Sequence, residues 1–179
     1  MQWKSATICI VMGLLSGIDA MPVYAKQYLT IEEVKQVYFG GEILKKVDVL
    51  IPQEIHTLLR KESGVRHAFN EKGIWKSHQG SWLILDEVIG KHEMISYSVA
   101  INQKGEILGV EILQYNESYG GQIRERKWLS QFEGKSANDS IKFNQDILNI
   151  TGATLSAKHV TDGVKRVMVL HREFLRNIP

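Results

Sequence analysis

An α+β fold, with one antiparallel sheet flanked by helices, is what this chain of 179 residues predicts. Segments around Ile74 to Lys76, Trp82 to Val88, Ile95 to Ile101 and Ile107 to Tyr115 are rich in β-branched and aromatic residues, the composition that fits a pleated, half-buried surface. Asn102-Gln103-Lys104-Gly105, between the last two, has the residues of a hairpin turn. The strong helical signals lie to either side of this block rather than alternating with it, which excludes a doubly wound nucleotide-binding sheet.

Each element has its own signal. Thr30-Ile31-Glu32-Glu33 is a capping box, in which Thr30 and Glu33 satisfy each other's backbone N–H groups, and it opens a helix to about Phe39 that Gly40-Gly41 ends. A second helical pattern runs from Pro52, suited to a first helical position, to about Lys61, with Ile55, Leu58 and Leu59 on one side. A short helical segment is expected at Lys127 to Phe132. From Ala157 to about Arg176, Val160, Val164, Val167, Met168 and Leu175 recur at three- and four-residue spacing, the mark of an amphipathic helix, with Thr154 and Ser156 as candidate caps before it. With no repeat, low-complexity run or Pro-rich linker, one compact domain is expected.

The N-terminus reads as an export signal. Lys4 precedes an apolar run from Ala6 to Leu15, and Val23-Tyr24-Ala25 supplies small or modest side chains where a signal peptidase cuts, so cleavage is expected after Ala25. A retained membrane anchor is the alternative, which the short apolar run and Asp19 disfavour. The one cysteine, Cys9, lies in that segment. The mature chain therefore has no disulfide, no thiolate metal site and no Cys-x-x-Cys-His haem attachment. A net charge of +2 without a basic block argues against nucleic acid as a partner. His56, His67, His78, His92, His159 and His171 lack His-Glu-x-x-His or comparable ligand spacing, so no metal is expected.

Two polar segments carry the candidate chemistry. Thr151-Gly152-Ala153-Thr154, then Leu155-Ser156, stands at the start of the last helix. Unpaired N–H groups and the positive end of the helix dipole there favour a phosphate, and Gly152 and Ala153 let it come close to the backbone. His159, in the first turn beyond, is a candidate contact for that phosphate. An ordinary helix start is the alternative. The second segment, Tyr115 to Arg124, contains Gly120-Gly121, which serves either a ligand approach or a tight loop.

Taken together, Glu117-Ser118-Tyr119-Gly120-Gly121 with Trp128 to Lys135 following, and Thr151-Gly152-Ala153-Thr154-x-Ser156 with its helix, resemble the FMN-binding domain. That domain occurs in the C subunit of the sodium-pumping NADH:quinone oxidoreductase, in the G subunit of the Rnf complex and in many small exported flavoproteins. The resemblance covers roughly Trp82 to Arg172. With the export signal read from the N-terminus, the expected division is a signal peptide (1–25), an N-terminal helical segment packed on the domain (26–80) and the FMN-binding domain (81–179).

The resemblance also implies a cofactor and a route to it. A flavin transferase, using FAD and a divalent metal, would join FMN through its phosphate to the hydroxyl of Thr154, which is then an acceptor and not a catalyst. Thr151, Gly152, Ala153 and Ser156 from one segment, and Glu117, Tyr119, Gly120, Gly121 and Trp128 from the other, are the implied cofactor-binding residues. Tyr119, Trp128 and Trp82 are candidate stacking partners, with Trp82 expected in the core. Two positions depart from the family pattern: Leu148 stands where an aspartate is usual, with Asp146 two residues earlier, and Ala157 replaces a frequent second serine.

The resulting expectation is an exported electron carrier, periplasmic or on the outer face of the cytoplasmic membrane, with separate membrane or periplasmic redox proteins as donor and acceptor. Two alternatives stand beside it. One is a binding or assembly module that keeps the fold without flavin; the other is a small-substrate reductase, whose only candidate anion-binding groups, Arg124 and Arg126, are expected to be solvated.

Overall fold

The computed structural model describes residues 28–178, so the expected export signal, with Cys9, lies outside the described residues. Five strands form one sheet in the order β1 (Leu44–Lys46), β2 (Ile74–Ser77), β3 (Trp82–Ile89), β4 (Met94–Ile101) and β5 (Ile107–Tyr115), every neighbour antiparallel. The α+β expectation holds. β1 is the element the sequence did not announce: three residues, two of them lysine, cannot show a period-two pattern. The lysines suit an edge strand that must resist further pairing.

Alternation along the strands separates two cores. Ile84, Val88, Ile95, Tyr97, Val99, Ile107, Val110 and Ile112 face one side and join the main cluster, together with residues of α2 (Gln53–Ser63) and α4 (Thr154–Glu173). Leu83, Ala100 and Leu113 face the other side, where Val34 and Phe39 of α1 (Ile31–Phe39) cover them. Trp82 is 2% exposed and belongs to the main core, as expected. Short helical turns at Gly121–Arg124 and Ser130–Phe132 flank α3 (Arg126–Leu129) between β5 and the loop leading to α4. Among the described residues no helix is long and apolar enough to cross a membrane.

The capping box of α1 is present in full, with Thr30 accepting from the Glu33 N–H and Glu33 accepting from the Thr30 N–H at 2.7 Å. Pro52 is the cap of α2 rather than its first residue, because its ψ of 150° is extended. α4 begins earlier than the apolar spacing suggests. Ala153 N–H donates to the Ile150 carbonyl at 2.9 Å and closes a turn, leaving Ala153 as the cap and Thr154 as the first helical residue. Thr154 and Ser156 are therefore inside the helix and not its caps. The helix also ends at Glu173, short of Arg176.

α4 is buried on most of its circumference, since α2 and the sheet enclose it from different sides. Gly163 permits the closest approach: a Cβ there would lie 2.3 Å from the Tyr97 hydroxyl and 2.7 Å from Val88. One turn on, Arg166 (1% exposed) grips the Asp86 carboxylate through Nε at 2.9 Å and a terminal nitrogen at 2.7 Å. Tyr97 donates to the same carboxylate at 2.6 Å, and the remaining Arg166 N–H groups reach the carbonyls of His67 and Glu87 at 3.0 and 2.8 Å. Burial pushes the Asp86 carboxyl above its ordinary range, against the pull of Arg166 and Tyr97. This network fixes the height of α4 over the sheet.

At the other end of α4, His171 is buried against Trp82, and burial with the nearby Arg176 charge pushes its pKa down to about 4. Above pH 6.5 the imidazole is neutral in both folded and unfolded chains, so it adds no pH dependence. As pH falls below 6.5 the unfolded chain takes up the proton first, and stability is lost until the folded imidazole protonates. We expect His171 to account for about 2 kcal/mol of lost stability between pH 7 and pH 5. Urea unfolding at the two values should show this loss in the parent protein and a flatter profile in His171→Gln.

Candidate cofactor site

The two polar segments singled out in the sequence meet in one groove. Its volume is about 750 Å³, and Glu117 to Gly120, Gln122 and Thr151 to Ser156 line it together with Lys91 and His92 from the β3–β4 turn. The segments are held together by direct packing. Gly120 has a φ of +85°, and a Cβ on it would stand 2.7 Å from both the Ala153 Cβ and the Tyr115 hydroxyl. Only glycine combines that conformation with that approach. Gly120→Ala is expected to separate the loops and cost roughly 1–3 kcal/mol. Thermal unfolding would report the cost, and amide shifts at Thr151 to Ser156 would report the displacement.

Tyr115, at the end of β5, ties the groove to the sheet. Its buried hydroxyl donates to the Tyr119 carbonyl and lies 3.4 Å from the Ser156 hydroxyl. Burial raises its pKa, so the phenol stays protonated as a donor. Glu117 fastens the same loop to the β3–β4 turn by accepting from the N–H groups of His92 at 2.6 Å and Glu93 at 3.1 Å. Burial would raise the Glu117 pKa, but those amides outweigh it and the carboxyl sits below its ordinary range. The carboxylate therefore reaches the groove already bonded, as a brace for two loops.

The turn that leads into α4 is positioned from behind. Leu148 offers its carbonyl to the Trp128 indole N–H at 2.8 Å, and its own N–H donates to the Gln131 side chain at 2.8 Å. With its backbone clamped on both sides, Leu148 turns its side chain outward, 66% exposed. Asp146 is engaged elsewhere, accepting from the Ser140 hydroxyl and from the Lys142 N–H at 2.8 Å. Gly152, with φ at +84°, then carries the chain through the turn to Ala153.

At the mouth of the groove, Thr151 and Thr154 are exposed, and neither hydroxyl has a hydrogen-bond partner among the described residues. α4 starts without a side-chain cap or an acidic residue in its first turn, so its leading N–H groups and dipole face the groove uncompensated. Tyr119 (84% exposed) and Leu155 (46%) add apolar surface beside them. Lys91 adds a cation. This combination can hold a phosphate at the helix start and a flat apolar group against Tyr119 and Leu155.

The remaining expected residues fall at different distances from the groove. Trp128 is in the core, edge-on to Phe132 at 5.4 Å, and supports the turn through Leu148. Gly121 lines an adjoining groove on the far side of the 117–122 loop with Tyr28 and Arg124. Arg124 and Arg126 are exposed to solvent, as expected, and each has a surface partner: Arg124 stacks over Tyr28 at 4.1 Å, and Arg126 pairs with Glu133 at 2.7 Å. His159 uses Nδ1 to reach the Ile89 carbonyl at 2.6 Å, bracing α4 against β3. Lys91, His92 and Leu155 line the groove without a sequence signal of their own: the first two lie in a turn with no motif, and Leu155 is the unspecified position inside one.

Comparison with known proteins bears on the same residues. The FMN-binding domain pattern matches residues 90–169, a stretch that includes both loops of the groove and most of α4. The G subunit of an ion-translocating oxidoreductase complex of Shewanella baltica is 30% identical over 180 residues, covering 88% of this chain and 84% of the relative. The G subunit of a Na(+)-translocating ferredoxin:NAD(+) oxidoreductase complex of Acetobacterium woodii is 24% identical, covering 91% of this chain and 90% of the relative. The corresponding protein of Shewanella loihica is 26% identical, covering 88% of this chain and 84% of the relative.

Proposed function

This chain belongs to the FMN-binding domain family, and from that premise we propose that it is an exported electron carrier holding FMN by a phosphoester to Thr154. The observation that carries the proposal is the exposed Thr154 hydroxyl at the uncapped start of α4, inside a groove that brings Glu117 to Gly120 against it. The residues fit the group. Open amides of the first turn suit a phosphate ester, the exposed faces of Tyr119 and Leu155 suit an isoalloxazine, and the volume suits a small organic cofactor. When bound, FMN supplies one- and two-electron chemistry; the chain holds and orients it and tunes its potential.

Roles follow from position. Gly152 and Ala153 let the phosphate approach, and the first-turn N–H groups stabilise its charge. Thr151 and Ser156 flank it, Ser156 being held near Tyr115. Tyr119 and Leu155 face the ring, Glu117, Gly120 and Trp128 keep the two loops in register, and Gly121 continues the 117–122 loop into the adjoining groove. Attachment joins FMN from FAD to the Thr154 oxygen, with AMP leaving and the hydroxyl proton passing to a base of the transferase. Nothing within this chain has to activate a threonine hydroxyl.

Export is supported by Lys4, the Ala6–Leu15 run and Val23-Tyr24-Ala25, and it gives permanent attachment a purpose, since an exported protein cannot recover lost FMN from the cytoplasm. Relatives named as subunits of ion-translocating oxidoreductase complexes support membrane redox proteins as donor and acceptor. The test is to express the full chain with a flavin transferase, confirm export, and measure intact mass and the modified peptide. A gain of one FMN less one water, mapped to Thr154, is the expected result. An unmodified exported protein, in a strain where the transferase modifies a control, would sink the covalent reading and leave a flavin-free module.

A further inference from the structure

A second site lies at the opposite end of α4, about 26 Å from Thr154 at 1.5 Å per residue. There a groove of about 390 Å³ opens between the β4–β5 turn, the loop at Ser136 to Asn138 and the end of the helix. Lys76, Lys104, Arg172 and Arg176 line it and no carboxylate does. Arg172 is balanced by Glu62 at 3.1 Å and by Glu173. Lys104, Arg176 and Lys76 have no carboxylate within ion-pair distance among the described residues; Lys76 donates to the Ile178 carbonyl at 2.6 Å and lies over the Trp82 ring, 5.1 Å from its centroid. The negative end of α4 offsets roughly half a charge, which leaves most of this positive potential uncompensated.

A second, independent observation points to a ligand. His171 lines the same groove, is only 7% exposed and has no hydrogen-bond partner among the described residues. Its ring is walled by Trp82, edge-to-face at 6.1 Å, and by the backbone of Gly105. The imidazole edge is therefore not taken up by a protein acceptor and stands available to a ligand in the cationic groove. An anionic oxygen would accept from that edge and supply the missing counter-charge together. A phosphate answers several donors at once where a carboxylate answers fewer, and the groove is larger than a bare phosphate requires.

We propose that this groove binds the phosphate of a phosphoester, either a soluble phosphomonoester or the headgroup of an anionic phospholipid, through Lys76, Lys104, Arg176 and His171. The site does not depend on flavin at Thr154. Titration of the full chain with inorganic phosphate and with chloride at matched ionic strength, followed by backbone amide and imidazole C–H shifts, tests it. Saturable shifts at His171 and Gly105 with phosphate alone are expected, weakened roughly tenfold or more in Lys104→Gln/Arg176→Gln, two exposed positions whose neutral replacements put no carboxylate at the negative end of α4 and should leave the protein folded, as the thermal midpoint will report. Shifts confined to Thr151 to Ser156, equal shifts with chloride, or unweakened binding in the double variant would overturn it. Two further arms separate the sources. Tighter binding of glycerol 3-phosphate than of phosphate indicates a soluble ester, and phosphate-reversible sedimentation with phosphatidylglycerol vesicles indicates a headgroup. Failure of both arms would refute the phosphoester.

Discussion

Thr154→Ala, produced with a flavin transferase, is expected to carry no covalent flavin while keeping its fold. Thr154 is exposed, its hydroxyl has no partner among the described residues, and alanine is a better helix former at the same position, so stability should move by no more than about 0.5 kcal/mol. The first-turn amides remain, which leaves a weak reversible site for FMN and no ester. Thr154→Ser should retain the adduct because it retains the oxygen, and Thr151→Ala should retain it because Thr151 only flanks the phosphate. Intact mass and fluorescence in a denaturing gel decide the matter. An adduct persisting in Thr154→Ala would move the attachment elsewhere. Leu148→Asp belongs to the same experiment. Its side chain is exposed and its backbone is clamped by Trp128 and Gln131, so the change should leave the fold intact and increase the fraction of chain that becomes flavinylated.

The second large effect concerns the core. Arg166→Met is expected to destabilise the protein by about 3–5 kcal/mol, because it leaves Asp86 buried without its counter-ion and strips hydrogen bonds from the carbonyls of His67 and Glu87. The loss should exceed that of Asp86→Leu/Arg166→Met, in which no charge is left buried and an apolar pair fills the space. Urea midpoints of the parent, the single and the double variant measure both terms. A single variant as stable as the parent would mean that Asp86 is already neutral and that Arg166 contributes little. Since Arg166 fixes α4 above the sheet, amide shifts at Thr154 to Ser156 should also move in the single variant. That would tie the stability of the core to the geometry of the groove.

Local signals were enough for much of this protein. The capping box at Thr30, the hairpin at Asn102 to Gly105 and the strand boundaries from Trp82 to Tyr115 are written in neighbouring residues, and the structure returns them nearly unchanged. The two loops of the site were legible too, as motifs, and their order along the chain pointed to one family. Helix caps were less legible. Thr154 looks like a cap by residue type, but the Ile150–Ala153 turn makes Ala153 the cap and moves Thr154 into the first turn.

The class of fold is written in short-range chemistry, in periodicity, caps and turns, whereas the family and the residue proposed to carry the flavin follow from the resemblance of two contiguous motifs to a known domain. What those residues do to one another came from tertiary packing. It set Gly120 against Ala153, gave Glu117 and Tyr115 to bracing rather than to open solvent, turned Leu148 outward, and brought Asp86 and Arg166 together across eighty positions. It also left His171 open among cations far from Thr154. Burial and pairing are properties of surfaces brought into contact, and a sheet packed under a long helix joins residues whose distance along the chain carries no trace of that contact.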